Sequence, residues 1–241
     1  TTSTENSGLL AHLLPAFEAK TNTRVHVISV GTGKALELAK NGDVDVTLVH
    51  ARAAEDKFVA EGHGIDRRDV MYNDFIVAGP ESDPARVKGS KDVIGSFTKI
   101  ASSGAKFISR GDNSGTDVME KSYWKSAGTL PAAGKYISAG LGMGEVLTMA
   151  AELQAYTLTD RATYGAYKAK TGLSVLVEGD SKMYNPYGII AVNPARHPGV
   201  NYKGAKLLID WLASPEGQRS IAAFRPAGQQ LFFPSAKPMP N

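Results

Sequence analysis

The chain has 241 residues, of which 42% are hydrophobic and 21% are charged, and its net charge is +3 at pH 7. This composition is typical of a globular protein that can bury one large core or two smaller ones. Without a cysteine, a polybasic run or an apolar stretch of roughly 20 residues, the sequence excludes a thiol or disulfide site and a membrane-spanning helix, and it argues against a nucleic-acid partner.

Strand and helix patterns alternate along the chain. Short runs rich in β-branched residues predict strands at residues 24–30, 44–51, 74–80, 106–109, 155–159, 174–179 and 187–194. Apolar residues at helical spacing predict helices at residues 8–20, 33–42, 91–104, 115–128, 144–153, 160–172, 202–213 and 215–224. Such alternation predicts an α/β protein built on mainly parallel sheets flanked by helices.

The same βα pattern at both ends of the chain, with a similar module between them, predicts two lobes. We expect lobe one to contain residues 1–77 and 189–241, and lobe two to contain residues 78–188. In open α/β sheets, ligands bind beyond the carboxyl ends of strands, where the next helix begins. The turns between strands and helices are therefore the first place to look for binding residues.

The first turn is "TTSTENSG", in which four hydroxyl side chains precede a predicted helix: Thr1, Thr2, Ser3 and Thr4. Hydroxyl groups donate hydrogen bonds to anions, but they are also common caps of helices and occur at frayed termini. Four hydroxyls in a row favour the binding interpretation.

The second turn is "SVGTGKALEL". Its glycines allow a ligand to approach the backbone, and Thr32 and Gly33 are candidate donors of a hydroxyl and a backbone N–H group. Neither nucleotide motif fits, because Ala35 follows Lys34 where a Walker A loop needs Ser or Thr, and Leu36 replaces the third glycine of a dinucleotide fingerprint. A tight turn with a helix cap explains the stretch equally well.

The third turn is "SRGDNSGTDVMEK". Arg110 can donate two parallel hydrogen bonds to an oxyanion, and Asp112 is spaced to pair with its guanidinium group. Ser114, Gly115 and Thr116 add hydroxyl and backbone donors at the start of a predicted helix. The alternative is a surface ion pair beside an ordinary serine cap. The coincidence of these features within seven residues favours an anion-binding turn.

A fourth glycine-rich stretch, "SAGLGMGEVL", precedes the helix predicted from residue 144. Backbone donors from Met143 or Gly144 could add to an anion site there, although a flexible loop explains the glycines too.

These residues resemble a known family. The segments "TTSTENSGLL", "VGTGKALELAKNGDVDVTLVHA", "SRGDNSGTDVMEK" and "EGDSKMYNPYGIIAVNP" are similar to the tungstate-binding proteins of Tup-type ABC transporters, along nearly the whole chain. The resemblance implies a two-lobed periplasmic binding protein of the type II fold, which captures tungstate or molybdate between its lobes and delivers it to a membrane permease. We expect no cofactor and a monomer. The start "TTSTENSGLL", which lacks an initiating Met, looks like a mature terminus left after a signal peptide is removed or like a trimmed end.

Carried over to this sequence, the family's hydroxyl motif falls on Thr1, Thr2, Ser3 and Thr4. Its second loop falls on Thr32 and Gly33, and its arginine turn on Arg110, Ser114, Gly115 and Thr116. Proton chemistry points the same way. Phosphate keeps a proton at neutral pH and needs an acceptor such as a carboxylate, whereas tungstate, molybdate and sulfate only accept hydrogen bonds. Phosphate binders that resemble this chain place an aspartate after the strand "VTLVHA", where this chain has His50, Ala51 and Arg52.

Three alternatives remain open from the sequence. A phosphate- or sulfate-binding protein of the same fold is the nearest. An enzyme is disfavoured, because the five histidines are scattered and the position two before Ser114 is Asp112 rather than the glycine of a nucleophile elbow. No histidine pairing typical of a metal site is present. An interaction domain built on the aromatic side chains is the weakest alternative, since aromatics at helical spacing mostly belong to cores.

Overall fold

The computed structural model describes residues 1–237, except for the side chain of Thr2. Its chain divides into two compact units. Unit 1 combines Thr1–Tyr72 with the C-terminal part from Asn185, and unit 2 is Asn73–Tyr184. None of the described helices has the length and apolar character that crossing a bilayer requires. The chain passes from unit 1 to unit 2 within one long strand, Gly64–Gly79, and returns at the start of another, Tyr184–Val192.

The helices of the described part are, in chain order, α1 (Thr2–Asn6), α2 (Leu9–Thr21), α3 (Thr32–Asn41), α4 (Arg52–Ala60), α5 (Val93–Ser102), α6 (Gly115–Ala127), α7 (Met143–Leu153), α8 (Arg161–Thr171), α9 (Tyr202–Ala213) and α10 (Pro215–Ala223). The strands are β1 (Val46–Val49), β2 (Gly64–Gly79), β3 (Phe107–Ser109), β4 (Tyr136–Ser138), β5 (Tyr156–Asp160), β6 (Ser174–Val177), β7 (Tyr184–Val192) and β8 (Phe233–Pro234).

Unit 1 packs helices against a small sheet. Strands β1 and β7 pair antiparallel from Val46 opposite Ala191 to Val49 opposite Gly188, and β8 pairs antiparallel with the first part of β2. The core lies between this sheet and helices α2, α9 and α10, and its largest buried side chains include Leu9, Leu13, Phe17, Met71, Tyr187 and Trp211. Burial of each large apolar side chain of this kind contributes roughly 1.5–3 kcal/mol of hydrophobic stabilisation.

Unit 2 is built around β3. This strand pairs parallel with both β4 and β5, while β2 pairs antiparallel with β5 and β6. An aromatic cluster joins α5 and α6 to the sheet: the rings of Phe97 and Trp124 lie 4.4 Å apart, and those of Phe107 and Trp124 lie 5.1 Å apart edge to face. The carboxyl end of β3 is thereby held firmly at the point where the Arg110 turn begins.

The predicted α/β class with helices around strands is confirmed, but the expectation of mainly parallel sheets needs correction. Among the strands that the structure describes, parallel ladders join β3 to β4 and β5, and the pairs described in unit 1 are antiparallel. The long strands β2 and β7 cause the difference, since they carry the chain between units and pair antiparallel with β5, β6 and β1. The alternating sequence pattern predicts only the order of strands and helices, whereas the direction of each strand depends on these long-range partners.

A second correction concerns residues 24–30, "RVHVISV", which we expected to form a strand. The structure has no regular secondary structure there, and Val27 and Ile28 keep 41% and 55% of their surface exposed. Composition rich in β-branched residues favours an extended backbone, but a strand also needs a neighbour with which to exchange hydrogen bonds. Strand β1, the nearest such edge, pairs only with β7 within the described chain.

Candidate oxyanion-binding turns

Arg110 leaves the carboxyl end of β3 and is held by Asp112, as the sequence predicted. Asp112 Oδ2 accepts hydrogen bonds from Arg110 Nε at 3.1 Å and Nη2 at 2.6 Å. The two side chains are only 19% and 24% exposed. Arg110 Nη1 has no acceptor among residues 1–237, so its N–H donors are not used by the pair. Asp112 therefore fixes the arginine without using up its capacity to bind an anion.

A buried carboxylate, Asp117, holds the backbone of this turn. It is 1% exposed and accepts hydrogen bonds from Gly111 N at 2.9 Å, Asn113 N at 3.1 Å and Ser109 Oγ at 3.2 Å, and an ion pair joins it to Lys121 Nζ at 2.6 Å. Although burial alone would raise the pKa of Asp117, these donors outweigh burial and hold its pKa below the usual value.

Two residues of the turn have left-handed backbone: Gly111 with φ of 60° and Asn113 with φ of 58°. A side chain at position 111 would also collide with Ser138, because a Cβ atom there would lie 2.0 Å from its Oγ. Glycine and asparagine are the residues that tolerate this conformation best. The turn "RGDNSG" is therefore a specific backbone shape.

The start of α6 leaves donors unused. Ser114 caps the helix by accepting from Asp117 N at 3.2 Å, which satisfies one of its first N–H groups. Within residues 1–237, the N–H groups of Gly115 and Thr116 and the hydroxyl of Thr116 have no hydrogen-bond partner. These donors stand at the positive end of the α6 dipole, as an anion site requires.

The loop before α7 lies beside the Arg110 turn. Gly140 N and Leu141 N both donate to the carbonyl of Arg110, at 2.7 and 3.3 Å, and α7 begins at Met143. The structure thus places the predicted backbone donors of Met143 and Gly144 near the turn. Gly144 has a packing role as well, because a Cβ atom there would lie 2.3 Å from the ring of Tyr167.

In unit 1, three chain segments meet at the carboxyl end of β1. The ammonium group of Thr1 donates to the carbonyl of Leu48 at 2.8 Å, and His50 N donates to Thr32 Oγ1 at 3.4 Å. These contacts bring together the first residues of α1, the start of α3 and the residues that follow β1. The first two predicted turns therefore belong to one local cluster.

An aromatic and a histidine side chain support this cluster. The hydroxyl groups of Ser3 and Tyr187 share a hydrogen bond at 2.8 Å, and Tyr187 is fully buried on β7. The His50 ring lies 4.9 Å from the Tyr187 ring and its Nδ1 is 3.1 Å from Asn185 Oδ1. Burial lowers the pKa of His50, which outweighs the opposite effect of its bond to Asn185, so the side chain is mainly neutral at pH 7.

The remaining hydroxyl residues differ in availability. Thr4 is completely buried and its hydroxyl already donates to the carbonyl of Thr1 at 2.7 Å, so it has no proton left for an anion. The side chain of Thr2 lies outside the described residues. Thr32 Oγ1 accepts from His50 N, which leaves its proton free to be donated. Gly33 lies in the first turn of α3, and no described atom would come within 4 Å of a Cβ there.

Sequence reasoning missed four residues of these clusters: Asp117, His50 as a structural member, Asn185 and Tyr187. A signal existed for Asp117, since Ser114 and Asp117 match the Ser-x-x-Asp spacing of a helix start. No local signal marks Asn185 or Tyr187, because they come from β7, far along the chain. In the described chain no group of three or more His, Asp or Glu side chains is arranged to hold a metal ion.

Two α/β units whose strand ends carry unpaired donors form the architecture of a solute-binding protein. The chain belongs to the PBP superfamily, whose domain model matches residues 1–216. A curated protein from Peptoclostridium acidaminophilum, named tungstate-binding protein TupA, is 48% identical over 240 residues, covering 98% of this chain and 84% of the relative. A putative ABC transporter anion-binding protein of Haloferax volcanii is 49% identical over 241 residues, covering 98% and 70%.

The fold agrees with a solved relative. The structure of the tungstate-binding protein TupA from Desulfovibrio alaskensis G20 superposes with a TM-score of 0.94 at 46% identity, covering 98% of this chain and 97% of that one. At this level of identity the likeness extends beyond the fold to the sequence itself. The family resemblance read from the turns is thereby confirmed.

Proposed function

We propose that this chain is the substrate-binding component of an ABC transporter. It would work outside the cytoplasm, where it binds tungstate and delivers it to a membrane permease. The names of its relatives support the ligand class. The observation that carries the proposal is the Arg110 turn, where an oriented guanidinium and the open donors at the start of α6 lie within seven residues. The function proposed is binding rather than catalysis, and it needs no cofactor.

The turn favours an anion that carries no proton. Asp112 Oδ1 accepts from Ser114 N and Oδ2 accepts from Arg110, so both of its oxygens already have donors. Both oxygens of Asp117 are occupied in the same way. A monoprotonated phosphate would also need an acceptor for the hydrogen bond that its P–OH group donates, and the carboxylates of this turn are already engaged by donors of the protein. Tungstate, molybdate and sulfate need only donors, and the turn supplies them.

The unit 1 cluster supplies neutral donors to the proposed ligand set. Thr32 offers its hydroxyl proton, and Gly33 offers a backbone N–H at the start of α3. Ser3 is positioned by Tyr187. Together with Arg110, Ser114, Gly115 and Thr116, these residues are the binding residues that we propose, with Thr1, Thr2, Thr4, Met143 and Gly144 as lesser candidates.

That both clusters bind the same anion, as the resemblance to two-lobed proteins implies, stays a prediction. Titration of Thr32→Val, Arg110→Ala and the double variant with tungstate tests it. If both side chains serve one anion, the loss in the double variant should differ from the sum of the single losses, because the first substitution already weakens the shared complex. Simple additivity, or an unchanged affinity in Thr32→Val, would count against a shared anion.

The proposed function itself is tested by calorimetric titration with tungstate, molybdate, sulfate and phosphate. We expect tight binding of tungstate, with molybdate the nearest competitor because its charge and size are similar, and weak or no binding of phosphate. Tighter binding of sulfate or phosphate would contradict the tungstate assignment and support the alternative, a sulfate- or phosphate-binding protein of the same fold. Hydrolysis of generic phosphate esters or carboxylic esters by the purified protein would contradict a purely binding role.

The proposal also includes a monomeric protein. Light scattering with and without tungstate measures its mass directly, and a value near 25.6 kDa in both conditions is expected.

A further inference from the structure

A buried ion pair in unit 1 lies behind the loop that follows β1. Glu55, on α4, is fully buried, and the side chain of Arg67, on β2, is 12% exposed. Glu55 Oε1 accepts from Arg67 Nε at 2.9 Å, and Arg67 Nη2 lies at the same distance from it. Glu55 Oε2 accepts from the backbone N–H of Ala51 at 2.8 Å. Neither charged residue belongs to the donor cluster itself, but their pair ties the loop after β1 to β2.

The neighbouring strand leaves room for this pair. Gly188 on β7 lies opposite Val49, the last residue of β1. A Cβ atom at position 188 would lie 2.1 Å from Glu55 Oε1 and 2.8 Å from Arg67 Nη2, so a side chain there would displace both charged groups. The ion pair is therefore packed against β7 at the carboxyl end of β1, where the unit 1 donors meet.

Stability alone explains the pair poorly. Burial raises the pKa of the Glu55 carboxyl above its usual value, and this effect outweighs the opposite effects of Arg67 and the Ala51 N–H group. Buried ion pairs often contribute little net stability, because the loss of hydration offsets the attraction between the charges. A role in holding the loop accounts for the additional bond to Ala51, which an ion pair by itself does not need.

The loop connects the ion pair to a proposed ligand residue. Ala51 follows His50, whose backbone N–H donates to Thr32 Oγ1 at 3.4 Å. A hydroxyl oxygen that accepts this bond can still donate its own proton, and the bond restricts the directions in which the proton points. Because Glu55 fixes the backbone one residue after His50, it controls the acceptor side of the Thr32 hydroxyl.

We propose that Glu55 and Arg67 are positioning residues for the unit 1 donors: they fix the loop 50–52 so that His50 N holds the hydroxyl of Thr32 ready to donate to the anion. The inference rests on the proposed function, because Thr32 is one of the proposed binding residues. Neither Glu55 nor Arg67 contacts the anion in this assignment. Asp69 supports the pair, since its Oδ1 accepts from Arg67 Nη1 at 2.9 Å.

Glu55→Gln tests the proposal with little change in shape. Its amide has one acceptor oxygen, so the NH2 group must face either Arg67 or the Ala51 N–H group, and both are donors. We expect tungstate affinity in calorimetric titration to fall about five- to tenfold, because one donor to the anion loses its orientation. Asp56→Asn is the matched control and should bind almost normally, since it removes the same charge at the next position of α4, where the carboxylate is exposed and accepts from Arg52.

A second background separates positioning from general destabilisation. Thr32→Val removes the hydroxyl through which the pair acts, so the addition of Glu55→Gln should cause no further loss of tungstate affinity. Arg67→Lys keeps the charge without the planar fork, and its loss should disappear in the Thr32→Val background in the same way. An unchanged affinity in Glu55→Gln would overturn the proposal, and so would a loss of equal size with and without the Thr32 hydroxyl.

Hydrogen exchange in the ligand-free protein tests the loop independently of tungstate. We expect the amides of His50 and Ala51 to exchange about tenfold faster or more in Glu55→Gln, and at the wild-type rate in Asp56→Asn. Unchanged exchange in Glu55→Gln would overturn the proposal, and Arg67→Lys replaces it in both measurements if Glu55→Gln does not fold. A wild type that binds no tungstate would instead refute the proposed function, while the exchange rates would still decide whether the pair holds the loop.

Discussion

The two donor clusters of this protein are built on different principles. In unit 2, two carboxylates organise the turn: Asp112 orients Arg110, and buried Asp117 gathers the backbone N–H groups of Gly111 and Asn113. In unit 1, the side chains of the cluster are neutral: they are hydroxyl groups, a neutral histidine and a buried tyrosine, and the charge described there is the Thr1 ammonium, which donates to the carbonyl of Leu48. One cluster holds a charged side chain in place, and the side chains of the other offer neutral dipoles.

The difference indicates how the two clusters contribute to binding a dianion. A fixed guanidinium attracts the anion strongly and makes affinity depend on one side chain. Each neutral donor contributes less binding free energy, but neutral donors favour an anion that only accepts hydrogen bonds. The unit 2 turn should therefore dominate affinity, and the unit 1 cluster should refine it. The following predictions test this contrast, in order of decreasing expected effect.

Removal of the charge should have the largest effect. We expect Arg110→Ala to weaken tungstate binding by roughly 3 kcal/mol, or more than a hundredfold, because the anion loses its formal countercharge. Arg110→Lys should recover part of the loss, since it restores the charge without the fork. Lys125→Ala removes an exposed cation from α6, the helix that follows the turn; it is the matched control and should bind almost normally. Equal affinities for Arg110→Ala and Lys125→Ala in calorimetric titration would show that the turn does not bind the ligand.

Removal of the carboxylate scaffold should damage stability as well as binding. Asp117→Asn replaces a group that accepts from several donors by one that must also donate, so we expect a loss of about 2 kcal/mol in the free energy of unfolding. Because the folded pKa of Asp117 is lowered, its stabilisation is present above the unfolded pKa, near 3.9, and is lost as pH falls towards the folded value.

The difference in melting temperature between the wild type and Asp117→Asn should therefore be full at pH 7 and shrink below pH 4. Differential scanning calorimetry across this range measures it. A difference that is independent of pH would show that shape rather than charge explains the destabilisation.

In unit 1 the pH dependence should have a different origin. The pKa of His50 is lowered, so its neutral form contributes stability that is lost as pH falls through the unfolded value near 6.5. We expect the melting temperature to drop between pH 7 and pH 5 and to drop less in His50→Gln. The Thr1 ammonium is the charged group that adds to this effect. His26→Gln, at an exposed position, should follow the wild type, and identical profiles for all three proteins would remove His50 from the explanation.

The smallest effect distinguishes two glycines. Gly33→Ala should leave the melting temperature unchanged or slightly higher, because the added methyl group meets no described atom within 4 Å, while tungstate affinity falls a few-fold if the backbone contacts the anion. Gly144→Ala should instead lower stability by about 1–3 kcal/mol, because its Cβ would overlap the ring of Tyr167. Melting and titration of both variants separate a binding glycine from a packing glycine, and a destabilised Gly33→Ala would contradict this assignment.

Local chemistry made much of the Arg110 turn predictable. The pairing of Arg110 with Asp112 and the helix from Gly115 to its glycine stop at Gly128 are confirmed, since each depends on residues only a few positions apart. The role of Asp117 escaped prediction although its spacing from Ser114 was visible, because a carboxylate at the third position of a helix is usually interpreted only as part of a cap. Its bonds to Gly111 and Asn113 require the fold of the turn.

By itself, the sequence determined the α/β class, most helix limits and the chemical nature of the donors, because propensities, caps and side-chain charge act over short distances. Only the tertiary structure decided the antiparallel pairs of β1 and β7, the use of Tyr187 and Asn185 from β7 in the first cluster, and the failure of residues 24–30 to form a strand. The reason is common to all three: a strand or a shared hydrogen bond exists only when a partner distant in sequence arrives at the right distance.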